Sequence, residues 1–150
     1  MNIANSKDWT INHSKAYIVL SLCIADGFLN EHEKKTIKAC VDDWLSEPSP
    51  AAYAALIKLA SDELSKARMG AEILDGVQKS AKHIAAKTKS DRKHMYRFLK
   101  QLKSIAEADK ETQEVTDSEI RVMRFVSRGF GFGRKVSITV SENAIQLQRN

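Results

Sequence analysis

Cationic side chains crowd one stretch of this sequence. Between Lys79 and Lys103 there are nine Lys or Arg residues and a single acid, Asp91. The segment is therefore +8 within a chain of net charge +5, and the remainder sums to −3. The spacing matters as much as the number. Lys79, Lys82, His83 and Lys87 share much of one face if the segment is helical, and Lys93, Arg97 and Lys100 recur at i, i+4 and i+7. Two such faces attract the phosphates of nucleic acid, an anionic membrane surface or an acidic protein. The competing reading is a solvated charged surface, the usual fate of a charge run, although eight net charges in 25 residues exceed what solubility requires. Other chemistry is poorly signalled. His13, His32, His83 and His94 have no zinc-ligand spacing with one another or with Cys23 and Cys40. No G-x-S-x-G elbow, P-loop or Rossmann glycine pattern occurs, so the sequence predicts no catalytic residue and a protein that is not an enzyme.

A second stretch, SRGFGFGRK at 127–135, bears on the same question. Arg128, Gly129, Phe130, Gly131 and Phe132 match the first five positions of the strand signature with which RNA-recognition domains stack bases. Its meaning depends on the elements around it, and these read as helices. Ala16, Val19, Leu22 and Cys23 follow helical spacing over 14–26, and Gly27 is a natural stop. Ile37, Cys40, Val41 and Trp44 form the apolar side of a second helix. Ser49 and Pro50 open a third, carrying Tyr53, Leu56, Ile57, Ala60 and Leu64. After Met69-Gly70 a fourth presents Ile73, Leu74, Val77, Ala81, Ile84 and Ala85. Ser90 or Asp91 caps a fifth, with Met95, Phe98, Leu99, Leu102, Ile105 and Ala106 on one side. A sixth starts near Asp117 with Ile120, Met123, Val126 and Phe130. VSITV alternates like a strand but has no evident partner, so the tail reads as an extended arm with a short terminal helix.

The first two helices and the last two form an internal repeat. When Ala25-Asp26 is laid on Ala108-Asp109, Ala16 pairs with Leu99, Val19 with Leu102, Leu22 with Ile105 and Cys23 with Ala106. The loop of the second copy is three residues longer. Beyond it, LNEHE matches VTDSE, each a capping box, Asn30 with Glu33 and Thr116 with Glu119. Ile37, Cys40 and Trp44 then fall on Met123, Val126 and Phe130. Phe130 thus belongs to a helix end, closed by Gly129, Gly131 and Gly133. Gly133 and Lys135 also stand where the RNA-binding signature requires Val and an aromatic, and a four-stranded sheet is missing.

LCIADGFLNEHEKKTI resembles the signature of the TerB-like family, the tellurite-resistance-associated helical domain: an apolar helix running into Ala-Asp-Gly, a short loop and a Glu opening the next helix. SIAEADKETQEVTDSEIRVMRFVSRGFGF is similar to the family's second copy, with Lys110 where that copy has Gly. The resemblance implies an all-α, internally duplicated bundle of six or seven helices, associated with bacterial stress and without established enzymatic activity. It implies cation binding through Asp26 and Glu33 in the first copy and Asp109 and Glu119 in the second. A divalent cation of the Ca²⁺ or Mg²⁺ type suits four carboxylates. Yet DGFLNEHE is not an EF-hand loop, and Glu33 and Glu119 are equally explained as capping partners.

The expected organisation is an N-terminal arm over 1–13, a helical domain over 14–132 with repeats at about 14–46 and 93–132, and a tail over 133–150. With 43% apolar and 29% charged residues this is an ordinary globular composition. No apolar run reaches bilayer-spanning length, the N-terminus lacks a secretory core, and the two cysteines read as reduced core thiols, so a cytoplasmic location is expected. The functional expectation is a TerB-like binding or scaffold module. Its candidate anionic-partner surface is Lys79, Lys82, Lys87, Lys93, Arg97 and Lys100, with a homo-oligomer as a further candidate assembly. The alternative is a helical protein whose business is nucleic acid or another anionic surface.

Overall fold

The computed structural model describes residues 9–26, 31–108, 115–141 and 144–150, without the side chains of 25 and 26. Among them are six α-helices: α1 (Ile11–Asp26), α2 (Glu31–Trp44), α3 (Pro50–Leu64), α4 (Gly70–Lys87), α5 (Arg92–Ala106) and α6 (Asp117–Gly129). A 3-10 turn at Gly133–Lys135 leads into two strands, β1 (Val136–Ser141) and β2 (Ala144–Arg149). The chain is an all-α bundle with a small hairpin on its surface.

The helix ends follow local chemistry. Ser49 is extended and its hydroxyl accepts from the Ala52 N–H, with Pro50 beginning α3. Asp91, rather than Ser90, caps α5, its Oδ1 accepting from the N–H groups of Lys93 and His94. Thr116 and Glu119 form the capping box of α6. The partner of Glu33 in the first copy, Asn30, lies outside the described residues.

α1 is the axis of the fold. Every residue from Ser14 to Val19 is buried, so its circumference rather than one stripe is covered. α3, α4 and α6 pack around it, and α5 packs on α2, α1 and α6. Two glycines permit these approaches. A Cβ at Gly76 of α4 would collide with the phenol of Tyr17, and one at Gly129 would lie 2.5 Å from Ala81 Cβ and 2.8 Å from the Gln78 carbonyl oxygen.

The helix repeat is visible in packing. Ala16, Val19, Leu22 and Cys23 are buried on α1, as are Leu99, Leu102 and Ile105 on α5. The aligned aromatics Trp44 and Phe130 both meet one ring, Phe98, at centroid distances of 5.8 and 6.3 Å. Phe132 stacks edge-on against Phe130 at 5.8 Å. The aromatics of SRGFGFGRK are thus core residues. Gly131 and Gly133 take positive φ and turn the chain, while Gly129 is still helical and serves packing.

The two ends differ from expectation. α1 begins at Ile11 and Trp9 is buried, so the segment before Ser14 is not wholly an arm. The tail is neither an extended arm nor a terminal helix: β1 pairs antiparallel with β2, Val136 opposite Arg149 and Ser141 opposite Ala144. The partner of VSITV is AIQLQR. Its glutamines hide the strand pattern, because only Ile145 and Leu147 face the bundle side, where Ile145 is completely buried. The hairpin is tied down by the Ile145 N–H donating to Glu107 Oε2 at 2.7 Å and by Arg124 donating to the Ile138 carbonyl at 3.0 Å.

Gly76→Ala should destabilise the protein by roughly 1–3 kcal/mol, the usual cost of overpacking. Gly70→Ala, whose Cβ would meet nothing within 4 Å, should be neutral or slightly stabilising. Urea denaturation of both variants checks this, and equal effects would refute the close approach of α4 to α1.

Candidate anionic-ligand interface

All six cations singled out on α4 and α5 are exposed, but they are not equally available. Lys79 pairs with Asp75 at 2.9 Å, and Arg97 reaches Asp43 on α2 at 2.7 Å. Lys100 sits 5.0 Å over the ring of Tyr96. Lys82, Lys87 and Lys93 project without such contacts. α4 packs on α1 and α6, and α5 packs on the same two helices and also on α2, so the basic segment is divided between two helices that share part of their support.

Arg97 borders a pocket of about 210 Å³ that also exposes Lys15, Asp43, Trp44, His94 and Gln101. One wall is a hydrogen-bonded chain: Trp44 Nε1 donates to Gln101 Oε1 at 2.8 Å, and Gln101 Nε2 donates to Asp43 Oδ2 at 3.1 Å. Lys15 is only 5% exposed, its ammonium 5.4 Å from the Trp44 ring centroid. Burial lowers its pKa to about 8, a fall that Asp43 opposes and Arg97 reinforces. His94 is likewise held below the ordinary histidine value, by burial first and then by Lys15, and its Nε2 is buried without a hydrogen bond among the described residues.

The richer cationic surface surrounds the hairpin, where sequence reasoning did not place it. Three pockets flank the two strands. The first, about 390 Å³, lies between α6 and β1 and is lined by Arg124, Arg128 and Arg134 with Ser127, Ser137 and Thr139. A second, about 140 Å³, carries Arg92, Lys135 and Arg149 beside Tyr96 and Asn150. In the third, about 400 Å³, Lys100 and Lys103 stand with Ser104 and Gln146. Among the described residues, no Asp or Glu side chain lines any of the three. Tyr96 lies under two cations, Lys100 and, at 4.3 Å, Arg149, so its ring is already engaged. Lys103 is partly neutralised by Glu107 at 2.9 Å. A signal for this surface did exist: from Arg121 to Arg149 there are six Lys or Arg and one acid, Glu142.

The proposed cation ligands are only half described. Asp26 ends α1, but its side chain and the whole of Asp109 lie outside the described residues. Glu33 and Glu119, equivalent in the repeat, are both buried. Glu119 Oε1 accepts from the Thr116 N–H at 2.9 Å and from its hydroxyl at 3.2 Å. Among the described residues no three His, Cys, Asp or Glu side chains gather as a metal-binding group.

One serine–histidine contact resembles a nucleophile and its base. Ser14 Oγ and His83 Nδ1 are 2.7 Å apart. Ser14 is wholly buried, however, and its oxygen accepts from Trp9 Nε1 at 2.8 Å, so the pair ties the start of α1 to α4. Cys23 and Cys40 are buried and neither is in a disulfide, and burial raises the Cys40 thiol to about 11, far from a reactive thiolate. No helix is long and apolar enough to cross a membrane among the described residues.

No family model, no curated protein and no solved structure matches this chain.

The buried ammonium makes a pH prediction. Since the fold lowers the Lys15 pKa from 10.5 to about 8, the unfolded chain binds the extra proton between those values. The Lys15 contribution to stability therefore rises as pH climbs through that window. Lys15→Met should be more stable than the parent at pH 7 and lose that advantage by about pH 10. Denaturation at the two pH values reads the difference, and a gap independent of pH would contradict a buried amine.

Proposed function

We propose that this chain is a non-enzymatic binding module whose partner is a nucleic-acid phosphate backbone, engaged by the hairpin and the flanking sides of α5 and α6. The observation that carries the reading is the set of three pockets around the hairpin, lined among the described residues by eight cationic side chains and no carboxylate side chain. Cations drawn from four elements, α5, α6, the 3-10 turn and β2, repel one another around the hairpin, and an anionic polymer relieves that repulsion.

The polar groups between the cations favour nucleic acid over a lipid surface. Ser137, Thr139 and Gln146 carry the hydroxyl and amide donors that commonly meet phosphate and sugar. The aromatics argue against base reading. Phe130 and Phe132 are buried in the core, and Tyr96 is occupied by Lys100 and Arg149. Binding is therefore electrostatic and indifferent to sequence. The α4 lysines extend the positive field without forming the contact surface.

The resemblance to TerB-like domains supports a binding module in the same way, through the duplicated helix pair, and a link to tellurite or other stress remains part of the proposal. In this reading the duplicated bundle is the scaffold and the hairpin its working face.

Fluorescence anisotropy with a labelled short DNA strand tests the proposal. Affinity should fall on the order of a hundred- to a thousandfold between about 50 and 200 mM salt if six or so phosphates are contacted. Arg92→Glu/Lys135→Glu/Arg149→Glu should abolish binding at low salt, while Lys79→Glu/Lys82→Glu should weaken it only slightly. Absence of binding at low salt would overturn the reading. Capture of the protein by anionic vesicles but not by DNA would instead assign the surface to a membrane.

A further inference from the structure

We infer that the pocket between the end of α6 and β1 is a site for one terminal phosphate group, either the phosphorylated end of a nucleic-acid strand or a free phosphate ion. The strand-end form of the inference rests on the hairpin face being a nucleic-acid surface, while the free-ion form does not. Its components come from the very stretch, SRGFGFGRK, whose aromatics point into the core. Ser127 and Arg128 lie on the last turn of α6, Gly133 and Arg134 follow, and Arg124 stands one turn before Arg128.

The three guanidinium groups are placed differently. Arg124 is pinned, its Nε and Nη2 both directed at the Ile138 carbonyl at 3.3 and 3.0 Å, with Nη1 left for another acceptor. Arg128 lies 4.9 Å over the ring of Phe125, a contact that orients the guanidinium while leaving its edge donors available. Arg134 sits in the 3-10 turn, which Asn150 clamps by donating to the Arg134 carbonyl at 2.8 Å and to Ser137 Oγ at 2.7 Å.

The second observation is independent of charge. Ser127 is buried, it lines this pocket, and its Oγ is one of three buried side-chain polar atoms without a hydrogen-bond partner among the described residues. A buried hydroxyl on a residue that lines an arginine-rich pocket is a donor in need of an acceptor. The donor set matches a terminal phosphate better than a chain phosphate. A diester has one charge and two free oxygens, whereas a monoester carries nearly two charges and three strong acceptor oxygens. Three guanidiniums and a hydroxyl, with no Asp or Glu among the described residues of the wall, suit the latter.

The test compares a short DNA strand ending in a phosphate with the same strand ending in a hydroxyl, and adds inorganic phosphate as a competitor, using the full chain. The phosphorylated strand should bind about tenfold tighter or more, the effect of one or two charge-assisted hydrogen bonds. Arg128→Ala/Arg134→Ala should abolish that preference and Ser127→Ala should reduce it, while the hydroxyl-ended strand keeps most of its affinity in the serine variant. If Arg92→Glu/Lys135→Glu/Arg149→Glu prevents strand binding but inorganic phosphate still binds, and still requires Arg128, the pocket is a free-phosphate site and the inference stands. Strand binding with no preference for the phosphorylated end and no competition by phosphate would overturn it while leaving the nucleic-acid reading intact. A preference that survives Arg128→Ala/Arg134→Ala would also overturn it, because the end would then be read elsewhere.

Discussion

The structure depends on how closely α4 can approach its two neighbours. α1 is buried around its circumference, and such a helix is stable only inside a jacket of others. α4 supplies one wall of that jacket by meeting Tyr17 at Gly76, and it receives α6 at Gly129 through Ala81 and the Gln78 backbone. Larger side chains at these glycines would push the helices apart and loosen the contacts of Val77, Ala81, Ile84, Val122 and Val126, all fully or nearly fully buried. The seat of α6 in turn sets where Arg124 and Arg128 project and where β1 can lie. The geometry of the basic face is thus a consequence of core packing some way beneath it.

Duplication explains the rest of the core. Equivalent positions of the two helix pairs converge on Phe98, which receives Trp44 from the first copy and Phe130 from the second. The copies have diverged at their rims. Trp44 is only partly covered and its indole N–H is used in the hydrogen-bonded wall beside Lys15, whereas Phe130 is buried and extended by Phe132 into the seat of the hairpin. One repeat position therefore ends in a polar pocket and the other in a platform for strands.

The helices were legible because apolar spacing, Ser49-Pro50, Asp91 and the Thr116–Glu119 box are local signals that tertiary packing did not override. The hairpin was not, since AIQLQR buries only one residue in two and its glutamines resemble a polar tail. The candidate site was half legible. The Lys79–Lys103 charge run was evident, but the partners of its cations, Asp75 and Asp43, sit one turn away or on another helix, so availability could not be read from composition. Lys15 lay outside what spacing could show: a lysine in the first half of an apolar helix carries no sequence signal of burial, yet it is buried against Trp44. In SRGFGFGRK the aromatics resemble a base-stacking signature, while the arginines on either side of them line the pocket.

These features describe a helical scaffold that concentrates positive charge around a small hairpin. Titrating the amide NMR spectrum of the protein with a short DNA strand at low salt tests that account most directly. The account predicts salt-reversible shifts concentrated on Tyr96, Lys135, the strands 136–141 and 144–149, and the last turn of α6. Shifts confined to α4 around Lys79–Lys87, or no shifts at all, would contradict it.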